Sequence, residues 1–369
     1  MAHNLIDRFS DIVKAKIRKE NILKDGIVFN NDYEGNPKAG AVKIPVRDTE
    51  VTVSDYDKAN GITGGTGGTT YETITINKDK AVNEIIDGYD AEAVPDNLVA
   101  DRLDSAGYAL AKQEDADGGA VLIAGSTQTG VATLTKDNIY SEIVKVRTAM
   151  SKANIPNDGK RYLLVTPDTL ELVLNAPGFI KASALGDATM TDGNVGKIAG
   201  FNVYEWNDET ANLAMLAGHP RFATRVREFS VPVHLQDLSG SGKYIGASAI
   251  QGREVYAHKV LRSVAIRSIF SPSLLVPTVA VGTSTAGDTK VTATVLTVDD
   301  TLAYKKNPAT LCKYGTTSSD YSGTSMTSGS AKVISGCAEG DIIEVVEFNS
   351  DSKAVAVGYI TLTSADIKA

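Results

Sequence analysis

The chain opens on an amphipathic pattern. Leu5, Ile6, Phe9, Ile12, Val13 and Ile17 recur at helical spacing, with Arg8, Lys14, Arg18 and Lys19 between them. That spacing predicts a basic helical arm that packs on a neighbour or on the chain's own body. From residue 40 to 77 the period becomes two. AVKIPVRD, TEVTVSDYD and YETITIN alternate apolar with polar positions, and NGITGGTGGTT (residues 60–70) lies between the outer runs. Glycine at this density leaves little side chain to pack, so the segment predicts a long hairpin with a flexible, protruding tip. A hairpin with no body beneath it is marginal in stability. It is therefore expected to lie on something else, another subunit included.

Helical spacing returns after Pro95 and Asp96, a start signal. Val99, Leu103, Ala106 and Leu110 form one stripe, with Asp101, Asp104 and Glu114 read as a solvated face and a break expected at Asp117-Gly118-Gly119. A second amphipathic helix carries Ile139, Ile143, Val146 and Met150 and ends in the run 154–159. Tyr162, Leu163, Leu164 and Val165 read as a buried strand. Thr166 is placed to cap a third helix with Pro167 at its first position and Asp168 near its positive end. Residues 196–208, GKIAGFNVYEWND, read as a turn entering a strand. ANLAMLAGHP adds a strand and a turn at Gly218-His219-Pro220, and residues 253–272 read as a long β pair ending at Pro272. Beyond Pro277 the chain is rich in Thr, Ser, Gly and Val. VTATVLTV, KVISG, DIIEVVEF and AVAVGYITLT predict an appended β domain of sandwich type.

Composition narrows the chemistry. The 369 residues are 42% hydrophobic, enough for one large domain or two ordinary ones. The net charge of −8 lacks the basic domain of a nucleic-acid binder, although residues 1–24 hold six Lys or Arg against three Asp or Glu. No stretch of about 18 apolar residues occurs, so no membrane span is expected. The first residues do not read as a signal peptide, and the chain is expected in the cytoplasm. Cys312 and Cys337 read as small apolar residues in a reducing compartment, with a single cross-strand bridge left open. His3, His219, His234 and His258 are scattered and read as surface or turn residues without metal-ligand partners. The glycines of 60–70 run into Thr69, Thr70 and a strand. They lack the Lys-Ser or Lys-Thr pair and helix of a phosphate loop. No G-x-S-x-G, H-E-x-x-H or C-x-x-C motif is present. The reading is a non-enzyme with no catalytic, cofactor or metal residues and no cofactor.

The order of segments resembles the major capsid proteins of tailed phages, which share the Hong Kong 97 shell fold. The residues that carry the resemblance are Asn154-Ile155-Pro156, Arg161 to Val165 with Pro167, and Gly196-Lys197-Ile198-Ala199-Gly200-Phe201-Asn202-Val203-Tyr204. Family members show a similar "N-V-P…R…strand-P" followed by "G-x-I-x-G-F-x-V-Y". The likeness covers roughly residues 1–275.

The resemblance implies an α+β capsid fold with a C-terminal all-β, immunoglobulin-like domain. It implies an N-terminal arm (1–36), an extended hairpin loop (37–80) and a peripheral domain with a spine helix (81–130 and 250–276). An axial domain (131–249) and the β domain (277–369) complete it, with residues 255–270 closing the peripheral sheet. The implied function is a coat protein that self-assembles into the icosahedral head enclosing double-stranded DNA. Its partners would be itself, as pentamers and hexamers, a scaffolding protein, the portal protein and DNA bound without sequence specificity, with no membrane. It would sit in the virion capsid and assemble in the host bacterial cytoplasm. Candidate assembly residues are Leu5, Phe9, Ile12, Ile17, Gly64, Gly65, Gly67, Gly68, Gly200, Phe201 and Tyr204. The chain departs from relatives that begin with a long cleaved scaffold segment. Lys58 near the loop tip has no identified partner for an isopeptide cross-link. Two alternatives stay open: an encapsulin-like compartment shell, and a surface-binding protein whose β domain takes carbohydrate. Against the latter, residues 278–369 hold Tyr304, Tyr314, Tyr321, Phe348 and Tyr359 but no Trp.

Overall fold

The structure, a computed structural model, describes residues 18, 21–33, 40–46, 53–62, 70–93, 98–177 and 196–369. In chain order come strands β1 (Ala41–Val46), β2 (Thr70–Thr75) and β3 (Lys78–Ile86), then helices α1 (Gly88–Ala93) and α2 (Leu98–Gly125). Strand β4 (Thr127–Gly130), helix α3 (Ile139–Lys152), strand β5 (Tyr162–Val165) and helix α4 (Pro167–Leu174) follow. Next are β6 (Lys197–Ile198), β7 (Phe201–Glu205), β8 (Leu213–Gly218), β9 (Ala223–Asp237), β10 (Ser248–Val260), β11 (Arg267–Phe270) and β12 (Ser273–Leu274). The remainder is β13 (Thr278–Val281), β14 (Thr289–Thr292), β15 (Thr301–Lys306), the short helix α5 (Ser318–Tyr321), β16 (Thr324–Met326), β17 (Lys332–Ile334), β18 (Ile342–Phe348) and β19 (Ala354–Thr361). They fall into two compact units, Met1–Gly125 with Pro220–Leu261, and Ser126–His219 with Arg262–Ala369.

In the first unit β3, β10 and β9 make an antiparallel sheet in that order. The predicted stripe of α2 meets it: Val99, Leu103 and Ala106 pack with Ile86, Ile250, Val82 and Val233. Helix α2 does not stop at Asp117-Gly118-Gly119, as the sequence predicts, but runs on to Gly125. Glycine inside a helix costs about 1 kcal/mol. Here the small residue is required by packing, since a Cβ at Gly118 would lie 3.1 Å from the Phe29 ring and 3.3 Å from His258.

The second unit holds a six-stranded sheet in the order β4-β11-β8-β5-β7-β6. The long β pair predicted over 253–272 is therefore divided. Residues up to Val260 belong to the three-stranded sheet of the first unit, and Arg267–Phe270 to this one. The short turn Ser263–Ala265 separates them. Strand β5 is buried along its whole length, as its unbroken apolar run predicts. Helix α3 buries Ile139, Ile143, Val146 and Met150, the predicted stripe. Its end is a left-handed stop at Asn154, φ 57°. The Asn154 and Ile155 N–H groups return to the Ser151 and Met150 carbonyls, a Schellman arrangement. Thr166 stands at the N-cap of α4 ahead of Pro167, but its hydroxyl pairs with that of Thr169 at 2.9 Å rather than with a helix N–H.

The stretch GKIAGF is a two-residue hairpin. Lys197 faces Asn202, Ile198 faces Phe201, and the turn residues Ala199 and Gly200 both have positive φ, 48° and 85°. This is the mirror-image turn that matches strand twist. Glycine suits it; alanine does not, because its Cβ crowds the left-handed region. Replacing Ala199 by asparagine, which tolerates that region, is expected to raise the unit's stability by about 0.5–1 kcal/mol. A rise in the urea midpoint at unchanged slope would show it.

Residues 273–361 hold two further sheets, five-stranded (β12-β19-β18-β15-β16) and three-stranded (β13-β14-β17). They share one core in which Val291 and Ile334 meet Leu302, Ile343, Val345 and Ala356. The other side of β18 is covered by the segment that bears Cys312 and Tyr321, which packs on Val346 and Phe348. Strand β15 was not among the strands predicted there. The predicted strand VTATVLTV ends at Thr292. Beyond it the buried Glu347 carboxylate accepts the N–H groups of Leu296 and Thr297 at 2.9–3.0 Å, which bends the chain away from the ladder. Strand β12 adds in parallel to β19, Ser273 beside Ala356 and Leu274 beside Val357. Asn212 reinforces that join by donating to the Val355 carbonyl at 2.8 Å, and Phe270 stacks on Tyr314 at 5.3 Å. Both cysteines are free and buried. No bridge joins them.

Candidate functional site

The described part of the hairpin is a paired stalk. Strands β1 and β2 run antiparallel, Ala41 opposite Thr75 and Val46 opposite Thr70. At its base Ile44 and Ile74 are buried against Val226 and Ala257. Lys259 ties the base down, reaching Glu72 at 2.9 Å and the Thr73 carbonyl at 2.8 Å. Beyond the fixed base, the described residues of the hairpin hold their apolar groups out in solvent. Val53 is 94% exposed, and Tyr56, Ile62 and Tyr71 are also exposed. Asp57 closes the local turn 57–61. It accepts from the Ala59 N–H and the Asn60 amide, and these bonds hold its carboxyl below the usual range.

Behind the stalk lies a buried charge network. Arg225 pairs with Asp25 and with Glu114 at 3.1 Å, and Arg227 reaches Glu114 at 2.9 Å. Glu114 is 6% exposed, so the solvated face expected for it is wrong at this position. Its place on α2 opposite two arginines of β9 explains the burial: each ion is paired, which offsets the cost of removing it from water. Asp115 accepts from the Leu23 N–H at 2.8 Å, and the backbones of Asn30 and Ala223 to Arg225 bond reciprocally. These contacts pin residues 22–30 onto α2 and β9. Nearby, burial and the Glu114 charge push the Glu254 carboxyl up. Asp117 is held low despite burial by hydrogen bonds from Lys78 and Tyr256.

His258 lies in this unit, buried between the rings of Phe29 (4.8 Å) and Tyr256 (5.4 Å). Neither ring nitrogen has a hydrogen-bond partner among the described residues. Burial lowers its pKa to about 3, helped by the charges of Arg225, Arg227 and Lys78. In the other unit His219 is buried and pairs with Asp158 at 3.0 Å. The surface-or-turn reading thus fails for His258, which lies within β10, whereas His219 sits in the predicted turn after β8 but is buried there. Two apolar neighbours in sequence, as in Val-Tyr-Ala-His, were the available signal for His258. His234 is exposed as expected, and His3 lies outside the described residues.

The resemblance motif forms a second built site. Arg161, 1% exposed, donates to the Pro156 carbonyl at 2.9 Å, the Ile155 carbonyl at 2.5 Å and the Ser151 hydroxyl at 3.2 Å. It closes the end of α3 from behind. Of the candidate assembly residues, Leu5, Phe9, Ile12, Ile17, Gly64, Gly65, Gly67 and Gly68 lie outside the described residues. Gly200 is exposed in its turn, Phe201 is fully buried, and Tyr204 is partly exposed. The structure does not bring the described three together with the stalk in one unit. Among the described residues no group of three His, Cys, Asp or Glu could hold a metal, and no helix is long and apolar enough to cross a membrane. Burial pushes the Cys312 thiol up to about 11, which leaves it a poor nucleophile.

Residues 84–266 match the sequence model of a family described as phage capsid protein. No curated protein matches the chain. Among solved structures, one from Mycobacterium phage Che8 is 22% identical, with a TM-score of 0.60 over 72% of this chain and 96% of that one. The capsid structure of the cyanophage P-SCSP1u gives 14%, 0.62, 72% and 92% on the same measures. The mature capsid of bacteriophage PhiM1 gives 13%, 0.54, 70% and 92%. Identities this low speak for the fold. In family pattern over residues 84–266, and in fold over 72% of its length, the chain is similar to the phage capsid proteins.

Proposed function

We propose that this chain is the major capsid protein of a tailed bacteriophage, a coat protein that assembles with copies of itself into an icosahedral head around double-stranded DNA. The observation that carries the reading is the stalk: a hairpin fixed at its base by Ile44, Ile74 and Lys259, whose further apolar residues Val53, Tyr56 and Ile62 stand in solvent on the isolated chain. Apolar surface held out from the body is what an intersubunit contact buries. In this reading the hairpin is the extended loop, α2 is the spine helix of the peripheral domain and the six-stranded sheet belongs to the axial domain. The shared core of the two C-terminal sheets supports an immunoglobulin-like domain. Pentamers and hexamers use the arm residues Leu5, Phe9, Ile12 and Ile17 and the loop glycines as adaptable contacts. The net charge of −8 suits a container that must not trap its genome. A scaffolding protein and a portal protein are the further partners, and the host cytoplasm is the place of assembly.

Expression of the chain alone, followed by sedimentation and negative-stain microscopy, tests this. Closed shells or capsomer rings are the expected result. A protein that stays monomeric both alone and when co-expressed with a scaffolding protein would overturn it.

A further inference from the structure

Helix α3, strands β4 and β11 and residues 310–313 line a cavity of about 500 Å³. Val131, Val146, Ile269 and Leu311 supply an apolar lining. The charges around it do not balance. Arg267, Lys145 and Lys313 face one carboxylate, Glu142, which Lys145 already holds at 2.6 Å. Arg267 is partly buried on β11, and its Nε, shut off from solvent, has no hydrogen-bond partner among the described residues. A guanidinium taken from water is stabilised by a carboxylate, and its planar fork suits one. The cavity is therefore shaped for an acidic chain segment with an apolar side chain beside the acid.

The same chain presents such a segment. Residues 296–300 read Leu-Thr-Val-Asp-Asp. Leu296 is 57% and Val298 82% exposed, and Asp299 is exposed with a left-handed φ of 74°. The backbone of this loop is held from within by Glu347, so the loop is preorganised while its apolar and acidic groups face out. We propose that the loop 296–300 of one copy docks in the Arg267 cavity of a second copy. Val298 meets the apolar lining, and Asp299 and Asp300 face Arg267 and Lys313. The contact is heterologous, one surface patch on a different one, which is the kind that closes rings and shells. It rests on the shell reading only in needing a second copy at hand.

The test uses the full chain in five forms: wild type, Lys313→Glu, Arg267→Met, Asp299→Lys, and Lys313→Glu combined with Asp299→Lys. Thermal melting first checks that each is folded; Arg267→Gln replaces Arg267→Met if that variant is not. Sedimentation against protein concentration then gives the concentration of half-assembly. Each single change is expected to raise it about tenfold, with the effect shrinking at high salt, and the charge swap is expected to restore it to within about twofold. Singles that assemble like wild type, or a swap no better than the singles, overturn the contact while leaving the shell reading in place. Loss with Lys313→Glu and Arg267→Met but not with Asp299→Lys also overturns it, and assigns the cavity to a different acidic segment of the same chain. A wild-type chain that never self-associates, alone or when co-expressed with a scaffolding protein, overturns both readings together.

Discussion

Replacing Arg161 by methionine is expected to lower the stability of the second unit by about 2–4 kcal/mol. Methionine keeps most of the packing volume and removes the donors. The Ile155 and Pro156 carbonyls then lose the guanidinium that satisfies them at 2.5 and 2.9 Å, and Ser151 loses a partner. Hydrogen bonds from a charged donor contribute about 1.5–3 kcal/mol each, and a buried acceptor left unpaired costs about 1–3 kcal/mol. One effect opposes this. Among the described residues no carboxylate touches Arg161 closely, and burial together with the nearby Arg147 lowers its pKa, so removing the charge recovers some desolvation free energy. Two short carbonyl contacts and a third to Ser151 outweigh that recovery. Urea denaturation of Arg161→Met beside wild type decides the sign. Equal midpoints would mean that the guanidinium's desolvation cancels its hydrogen bonds.

Acid sensitivity of the first unit is expected to reside largely in His258. Its folded pKa lies near 3, against about 6.5 in an unfolded chain. The unfolded chain therefore takes up a proton that the folded one refuses. The contribution is fully present above about pH 6.5 and is lost as pH falls towards 3, at up to about 1.4 kcal/mol per pH unit. Between pH 6.5 and 5 this amounts to about 2 kcal/mol. Replacing His258 by leucine, close in volume, removes the titrating group and two unpartnered ring nitrogens. The variant's unfolding midpoint should match or exceed that of wild type at neutral pH and exceed it clearly at pH 5. Asp117, also held low, adds its own loss below about pH 4 in both proteins, so the difference between them isolates the histidine. Parallel pH profiles would show that the imidazole is not held neutral in the fold.

Much of this architecture could be read from spacing. The stripes of α2 and α3, the buried run of β5 and the Thr166-Pro167 helix start all follow from local periodicity and capping, which depend on few neighbours. The failures share a cause: contacts distant in sequence. Gly118 looks like a helix stop, but the ring of Phe29, about ninety residues earlier, makes it a packing requirement. Glu114 looks solvated because its partners lie on a strand more than a hundred residues away. Strand β15 is masked by the lysines at its end, Lys305 and Lys306, and the continuation of β14 is undone by Glu347, fifty residues on. The motif around Arg161 was visible as a pattern, whereas its physical role needed the carbonyls of 155 and 156 in place. The cavity at Arg267 left no local signal, because its lining comes from several separate segments.

The parallel addition of β12 to β19 has a practical side. It makes the C-terminal region a graft whose root runs into the stem. A fragment begun at residue 277 would lack Ser273 and Leu274, baring the β19 edge to any extended chain in solution. Conversely, cutting the chain off after residue 276 would strand a short apolar stub, with Leu275 pulled out of the core that buries it. Whoever wishes to swap this region for a different cargo should cut ahead of Ser273, where the seam falls.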